Sequence, residues 1–191
     1  MTVLRAARLS LSFDAARLQS ELQALAEPWE PHMNRGYYEG DWSGIAFRSN
    51  SLPHQRKIFI DPSRPEDFVD TDALSRCPYM RESLAAFPCS RRAVRLLKLA
   101  PGAVIREHRD VGICIEEEEA RLHIPILTND RTDFIVGGER VSMQPGECWY
   151  VNVDLPHSVV NGGETDRVHL VVDVAVDEWL RGTVRESRAA S

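Results

Sequence analysis

The chain has 191 residues, of which 43% are hydrophobic and 27% are charged, and its net charge is −6. These values are typical of a single soluble globular domain with a substantial core. They argue against nucleic acid and membrane as partners, because the 23 lysines and arginines are spread along the chain and no apolar run approaches the roughly 20 residues that cross a bilayer.

The N-terminal part combines a helical pattern with an irregular, aromatic-rich stretch, and it contains no recognisable secretory signal. Apolar side chains recur at helical spacing over residues 14–26, with Asp14 as a suitable N-cap and Pro28 as a stop. A short strand is predicted at residues 45–48, and one or two short helices are predicted between residues 65 and 87.

After residue 91 the pattern changes to short segments rich in β-branched and aromatic residues, separated by turn signals such as Pro145-Gly146. About eight strands at a spacing of roughly ten residues predict a sandwich or barrel. We predict one domain over residues 1–191, mainly β with flanking helices. Residues 91–176 would form its core, and the helical and irregular residues 1–90 would cover one sheet.

The cysteines give no sign of a disulfide framework or of a thiolate zinc site. The chain has four, they are widely spaced, and none belongs to a CxxC pair. We therefore predict reduced thiols and a cytoplasmic location.

The segment VIREHRD, residues 104–110, ends a predicted strand with two metal-binding types of side chain. Side chains two residues apart in a strand point to the same face, so His108 and Asp110 project together while Arg109 points away. A second histidine would complete the 2-His-1-carboxylate face of a non-haem Fe(II) site. On its own, the pair is more typical of a charged strand end in water than of a metal site.

The predicted third ligand is His157 in VDLPHSVVNGG, at the start of a later strand that an antiparallel sandwich can bring beside His108. Arg167 follows in an almost wholly apolar strand. A buried arginine needs an anionic partner. Within the protein this partner would be Asp166 or Asp173, and otherwise it would be the carboxylate of a small co-substrate.

Arg121 and His123 form a second pair with this spacing, in the apolar segment RLHIPIL. Both side chains would share one face, and an inward-facing polar pair needs a hydrogen-bonding reason. The acidic run at residues 116–119 is predicted as a solvated loop, and neutralisation of that run is the alternative role for Arg121.

Together these motifs resemble the aspartyl/asparaginyl β-hydroxylase family of 2-oxoglutarate-dependent oxygenases, which includes bacterial hydroxylases of free proline. The resemblance is carried by HRD, RLHIPI and GECWYVNVDLPHSVVNGGETDRVHLVVDV, and it reaches back to WSGIAFRS and CPYMRESLAAFPC. It implies a double-stranded β-helix, which is a relative of the jelly roll and the cupin barrel.

By position, the resemblance implies that His108, Asp110 and His157 hold Fe(II), with 2-oxoglutarate as co-substrate and O2 as oxidant. The animal protein-modifying members lack the aspartate ligand, so Asp110 makes the chain more similar to the bacterial members. The free-proline hydroxylases carry an additional C-terminal helical region, which is not expected after Trp179.

The resemblance also implies a co-substrate site. Arg167 would bind the distal carboxylate of 2-oxoglutarate, and Arg121 and His123 would contact the co-substrate near its other carboxylate. Trp149 would belong to the same wall. His169 shares a face with Arg167 by alternation, and its role stays open between a polar support and a satisfied core histidine.

The implied function is hydroxylation of an unactivated carbon in an amino acid, or in an Asp- or Asn-type residue of a peptide. Polar and aromatic side chains in HMNRGYYEGDW are candidates for binding the substrate: Asn34, Arg35, Tyr37 and Trp42. The alternative for the aromatic residues is packing beneath the helices. His32 and His54 are expected at the surface.

Two other classes of function remain open. A cupin-like metal-dependent enzyme that does not use 2-oxoglutarate would keep the triad and would not need an unpaired buried Arg167. A non-catalytic small-molecule binding module on the same barrel would not need iron. The oligomeric state is not predicted.

Overall fold

The computed structural model describes residues 3–52, 54–61, 63–64 and 66–189. Strands account for most of its regular structure. In chain order they are β1 (Ala6–Ser12), β2 (Glu30–Pro31), β3 (Tyr38–Glu39), β4 (Trp42–Ser49), β5 (Val69–Asp70), β6 (Arg91–Leu99), β7 (Val104–His108), β8 (Glu119–Leu127), β9 (Thr132–Val136), β10 (Glu139–Arg140), β11 (Glu147–Val151), β12 (His157–Asn161) and β13 (Arg167–Ala175).

The strands form two antiparallel sheets. The larger sheet has the order β1-β11-β8-β13-β6-β4-β2, with β5 beside β4, and the smaller sheet has the order β10-β9-β12-β7-β3. Strands that are neighbours in a sheet are therefore mostly distant in sequence, as in a double-stranded β-helix. The predicted fold class is confirmed.

In the residues that the structure describes, four α-helices and one short 3₁₀ helix accompany the sheets: α1 (Ala15–Ala24), the 3₁₀ helix (Arg35–Tyr37), α2 (Asp72–Ser75), α3 (Pro78–Leu84) and α4 (Glu178–Ala189). Asp14 caps α1 as predicted, since its carboxylate accepts the Arg17 backbone N–H at 3.1 Å. The helix α4 after β13 was not expected from the sequence. No helix in the described part of the chain is long and apolar enough to cross a bilayer.

Two apolar layers lie on opposite faces of the larger sheet. In β13, Leu170 and Val172 join the layer beneath the helices, whereas Arg167, His169 and Asp173 alternate with them. The second layer, between the two sheets, includes Leu99, Ile105, Phe134 and Val159. Because successive side chains of a strand point to opposite faces, one strand serves an apolar core and a polar interior at once.

The N-terminal part contributes strands as well as helices to the structure. β4 extends the short strand predicted at residues 45–48, and β1 forms the edge of the larger sheet by pairing with β11. β1 was not predicted, although its alternation of buried Ala7 and Leu9 with exposed Arg8 has the period of a strand. The four cysteines of the chain are free and buried.

Gly146 lies at the junction of β1 and β11, where its carbonyl accepts the Phe13 N–H at 2.7 Å. Its φ is +83°, and a Cβ would lie 2.3 Å from the Phe13 carbonyl oxygen. Gly138 has a φ of +81° with nothing within 4 Å of such a Cβ, so it is a matched control. We expect Gly138→Ala to cost about 1 kcal/mol through the left-handed backbone. Gly146→Ala should cost about 2 kcal/mol more through overpacking.

Urea unfolding measures both free energies. Equal losses in the two variants would contradict the close approach of β1 to β11.

Candidate active site

The candidate metal ligands meet where β7 ends and β12 begins, in the smaller sheet. His157 is the cross-strand partner of His108, and the two ring centroids are 4.2 Å apart. Asp110 follows β7, and its backbone N–H donates to the carbonyl of Val153 at 2.9 Å. One potential ligand atom from each of the three side chains lies within 4.8 Å of the others. The residues predicted as ligands therefore form one group that could hold a metal ion.

Both histidines leave Nε2 available to such an ion. Nδ1 of His108 lies 2.8 Å from the Arg106 carbonyl oxygen, and Nδ1 of His157 lies 3.0 Å from that of Leu155. A carbonyl can only accept, so Nδ1 carries the proton in each neutral ring and Nε2 keeps a free lone pair. Burial lowers the pKa of His157 to about 4, so this ring is neutral near pH 7 and suited to bind a metal.

A buried network of ion pairs holds the third ligand. Arg121 donates to Oδ2 of Asp110 and forms two further bonds to Asp173, of 2.6 and 3.1 Å. Arg95 on β6 donates to the same Asp173 at 2.6 Å. Burial is the largest single influence on the pKa of the Asp110 carboxyl and raises it, but the opposing interactions, of which the charge of Arg121 is the largest, together lower this pKa. One oxygen of Asp110 is thus anchored, and Oδ1 is left for a metal ion.

The loop that carries Asp110 is tied to the loop before β12. Arg109 donates to the carbonyl and the carboxylate of Asp154 at 2.5 and 2.9 Å. The other oxygen of that carboxylate accepts the Gly112 N–H at 3.0 Å. The two ligand-bearing segments are therefore held together on both sides of Asp110.

Arg167 is only 3% exposed, and it has no carboxylate partner among the described residues. Its Nη2 donates to Nδ1 of His169 at 2.9 Å, and its Nε has no partner in the described chain. Burial lowers the pKa of Arg167 to about 9. Asp173, one of the two protein partners considered from the sequence, is bound to Arg121 instead, so that assignment is wrong.

A buried amide fixes the turn that leads into Arg167. Nδ2 of Asn161 donates to the carbonyls of Leu99 and Thr165 at 2.9 Å each, and its Oδ1 accepts from Asn129 at 3.0 Å. The turn between β12 and β13 is thereby attached to the end of β6. This sets the register that places Arg167 opposite Leu99 in the larger sheet.

His123 and Trp149 are cross-strand partners in β8 and β11. Nδ1 of His123 lies 3.3 Å from Nδ1 of His169, and its Nε2 is buried without a partner in the described chain. Burial, followed by the charge of Arg167, holds the pKa of His123 well below 6.5. Trp149 shares this face, but its indole N–H donates to Glu147 at 2.8 Å and the residue does not line the cavity described next.

A cavity of about 450 Å³ connects these groups. The polar residues of its wall include the three candidate ligands and four further side chains, namely Arg95, Arg121, His123 and Arg167. Of the residues predicted to contact substrate, Asn34, Tyr37 and Trp42 line the cavity and Arg35 does not. Tyr37 is 44% exposed and stacks on His108 with a centroid distance of 5.0 Å, so it lies at the mouth.

His32 and Arg95 are among the cavity residues that were not predicted as part of the site. His32, expected at the surface, is stacked on Trp42 with centroids 3.5 Å apart, and burial lowers its pKa to about 3. That expectation is wrong, and no local sequence signal indicates this stacking. Arg95 is 7% exposed and its Nε has no partner in the described chain. It lies between buried Val94 and Leu96, but β6 also carries Arg91, Arg92 and Lys98, so the sequence does not single out Arg95.

The fold and the site together define a class of protein. A double-stranded β-helix with a His-Asp-His triad has the 2-His-1-carboxylate donor set that non-haem Fe(II) oxygenases use. The family model of the aspartyl/asparaginyl β-hydroxylases matches residues 12–176. The chain belongs to this family, so the predicted resemblance is confirmed.

Two curated relatives hydroxylate proline according to their names. The L-proline cis-4-hydroxylase of Rhizobium meliloti (strain 1021) is 27% identical over 165 residues, which cover 85% of this chain and 58% of that protein. The L-proline cis-3-hydroxylase 1 of Streptomyces sp is 25% identical over 182 residues, which cover 87% and 59%. The chain thus spans less than two thirds of the length of either relative.

Solved structures show the same fold at low sequence identity. A Pseudomonas putida prolyl-4-hydroxylase has a TM-score of 0.53 at 12% identity, covering 90% of this chain and 92% of that one. An oxidoreductase of the 2OG-Fe(II) oxygenase family from Burkholderia pseudomallei has a TM-score of 0.53 at 13% identity, covering 83% and 78%. At these identities the similarity concerns the fold.

Asp173 compensates two buried arginines, and its replacement tests the ion-pair network. We expect Asp173→Asn to lower the free energy of unfolding by about 3–5 kcal/mol, because buried guanidinium charge loses its counter-charge. The control is Asp70→Asn. Asp70 pairs with Arg48 at 2.7 Å but is 53% exposed, so its loss should cost less than about 1 kcal/mol. Comparable losses in urea denaturation would contradict the network.

Proposed function

We propose that the protein is an Fe(II)- and 2-oxoglutarate-dependent hydroxylase of a small amino acid with a free carboxylate. One observation carries the proposal. The triad of His108, Asp110 and His157 shares a cavity with Arg167, a buried cation that lacks an anion in the described chain. Membership of a hydroxylase family and the proline hydroxylases among the relatives support this reaction class.

The donor set fits Fe(II). The ion would be held by Nε2 of His108, Nε2 of His157 and one carboxylate oxygen of Asp110, and such a set leaves other coordination positions open. Bound iron would supply the oxidation, in which one oxygen atom of O2 enters succinate as 2-oxoglutarate loses CO2 and the other enters a C–H bond of the substrate. Arg121 keeps Asp110 ionised and holds its other oxygen.

Arg167 would bind the distal carboxylate of 2-oxoglutarate. A guanidinium matches a carboxylate in a bidentate manner, and an anion here would remove the cost of a buried uncompensated charge. A cupin-like enzyme without 2-oxoglutarate, or a simple binding module, gives no reason to bury this charge unpaired. Arg167 therefore favours the oxygenase over both alternatives.

The other predicted co-substrate residues would have different tasks. His123 lines the cavity and would contact 2-oxoglutarate with its ring. Arg121 already donates to Asp110 and Asp173, so it would act mainly by positioning the metal ligand. Trp149 would support His123 from the neighbouring strand.

The charges on and behind the cavity wall favour an anionic group on the substrate. Three arginines, at positions 95, 121 and 167, face two aspartates, at positions 110 and 173, so one positive charge is left over. Fe(II) and the 2-oxoglutarate dianion cancel each other and leave this excess unchanged. A substrate carboxylate beside Arg95 would pair with that guanidinium locally. A free amino acid provides this group and an asparagine within a peptide does not, while the ammonium group of the amino acid leaves the net charge of the site unchanged.

The aromatic side of the cavity suits a compact apolar body. Trp42 and His32 form a stacked pair, and Tyr37 lies over His108 at the mouth. Flat rings of this kind pack well against a small aliphatic ring, such as that of the proline on which both curated relatives act by name. Asn34 would add a polar contact from the same segment, whereas Arg35 lies outside the cavity wall.

The decisive experiment is a succinate-release assay with Fe(II), ascorbate and O2 over free amino acids, their amides and Asp- or Asn-containing peptides. We expect succinate and hydroxylated product in equal amounts with a free amino acid of about the size of proline. The matching amide should be a poor substrate. Preference for peptides would contradict the substrate class, and metal binding without any consumption of 2-oxoglutarate would favour the cupin-like alternative.

Removal of one metal ligand should abolish the reaction. We expect His108→Ala to reduce succinate release to the background of the assay, because two remaining ligands hold Fe(II) too weakly to support turnover. His54→Ala is the control, since His54 is exposed and lies outside the cavity wall. Normal succinate release by His108→Ala would refute the assignment of the triad.

The affinity for 2-oxoglutarate should depend on pH through Arg167. Its pKa in the free protein is about 9, and a bound carboxylate would raise it by stabilising the charged form. The dissociation constant of 2-oxoglutarate should therefore be lowest and constant well below pH 9, where Arg167 is charged. Above pH 9 it should rise by about tenfold per pH unit. Titration of 2-oxoglutarate into the Mn(II)-loaded protein from pH 7.5 to 10 measures this.

The control is Arg167→Gln, which should bind 2-oxoglutarate weakly at every pH and without this slope. A wild-type dissociation constant that stays constant up to pH 10 would place the carboxylate elsewhere.

A further inference from the structure

We propose that His169 is a positioning residue of the co-substrate site, which orients Arg167 while leaving its charge free for the incoming carboxylate. This assignment rests on the proposed function and adds a residue whose role the sequence left open. His169 lies on β13 two residues after Arg167, on the same inner face, and is 2% exposed.

The contact between the two residues is direct. Nη2 of Arg167 lies 2.9 Å from Nδ1 of His169, and in the described chain this is the only hydrogen-bond acceptor of the guanidinium. Cζ of Arg167 also lies 5.4 Å from the centroid of the Phe134 ring. The orientation of the guanidinium is therefore set by one neutral ring nitrogen and one aromatic face.

The neutrality of this acceptor is what distinguishes Arg167 from the other buried arginines of the cavity. Arg95 and Arg121 each donate to a carboxylate of the protein, that of Asp173 in both cases. An imidazole acceptor satisfies one N–H of Arg167 but cancels none of its charge. The full attraction for a carboxylate is kept for the ligand.

His169 also determines which nitrogen of His123 carries the proton. Since Nδ1 of His169 accepts from Arg167, the proton of this neutral ring is on Nε2. Nδ1 of His123, 3.3 Å from the same atom, must then be the donor in that contact. Burial holds the pKa of both histidines well below 6.5, so both rings are neutral. The free Nε2 of His123 consequently presents a lone pair.

Dense packing does not account for the choice of histidine at this position. His169 borders a second cavity of about 210 Å³ together with Arg167 and Thr132, and the Thr132 hydroxyl is buried without a partner in the described chain. A side chain selected only to fill volume would occupy this space. The polar contact to Arg167 is the better reason for the ring.

Two substitutions of His169, by Asn and by Asp, are nearly equal in size and differ in charge. They therefore test whether the acceptor must be neutral or must only be present. His169→Asn keeps a neutral acceptor, and His169→Asp places a carboxylate in the same position. We expect the dissociation constant of 2-oxoglutarate from the Mn(II)-loaded protein to rise by less than about fivefold with Asn and by about 100-fold or more with Asp, which neutralises Arg167 from within. Equal dissociation constants for the two variants would overturn the proposal.

Ring-nitrogen NMR of the Zn(II)-loaded wild-type protein gives a readout that needs neither turnover nor a variant. We expect the proton of His169 on Nε2 and that of His123 on Nδ1, and a His169 proton on Nδ1 would overturn the proposal even if His169→Asp failed to fold. Absence of succinate release by the wild-type protein would instead refute the proposed function. Succinate release with no difference between Asn and Asp would refute only the role of His169.

Discussion

The bidentate ion pair between Arg121 and Asp173 is the interaction on which the arrangement of the site depends. It joins the central strands β8 and β13 of the larger sheet, and through Oδ2 of Asp110 it reaches across to the loop that follows β7 in the smaller sheet. The same two strands that carry His123 and Arg167 thereby fix the position of Asp110, a candidate metal ligand. Buried ions need such mutual compensation, because each alone would cost several kcal/mol.

A second constraint is the alternation of side chains along β13. One face of this strand packs beneath the helices through Leu170 and Val172, and the other face directs His169 and Asp173 between the sheets. A shift of the strand by one residue would exchange the two sets and bury charge in an apolar layer. The Asn161 amide, bound to the carbonyl of Leu99, helps to exclude that shift where the strand begins.

Much of the fold and of the site could be predicted from the sequence, because side chains along a strand alternate between its two faces with a period of two residues. His108 and Asp110, or Arg121 and His123, share a face by spacing alone, and the motifs around them identify the family. The partner of a buried charge could not be predicted, because it depends on which strands are neighbours: Asp173 lies opposite Arg121 rather than beside Arg167. The stacking of His32 on Trp42 depends equally on contacts that only the folded chain creates.

The pairing of His108 with His157 across two strands has a mechanical consequence. These residues occupy one rung of the ladder between β7 and β12, so an ion coordinated by both would fasten the two strands together at that rung. Separation of β7 from β12 at this rung would pull the coordinating nitrogens apart, and loading with metal would resist that separation by mass action. Catalytic competence and local cohesion of the smaller sheet would then be gained and lost together.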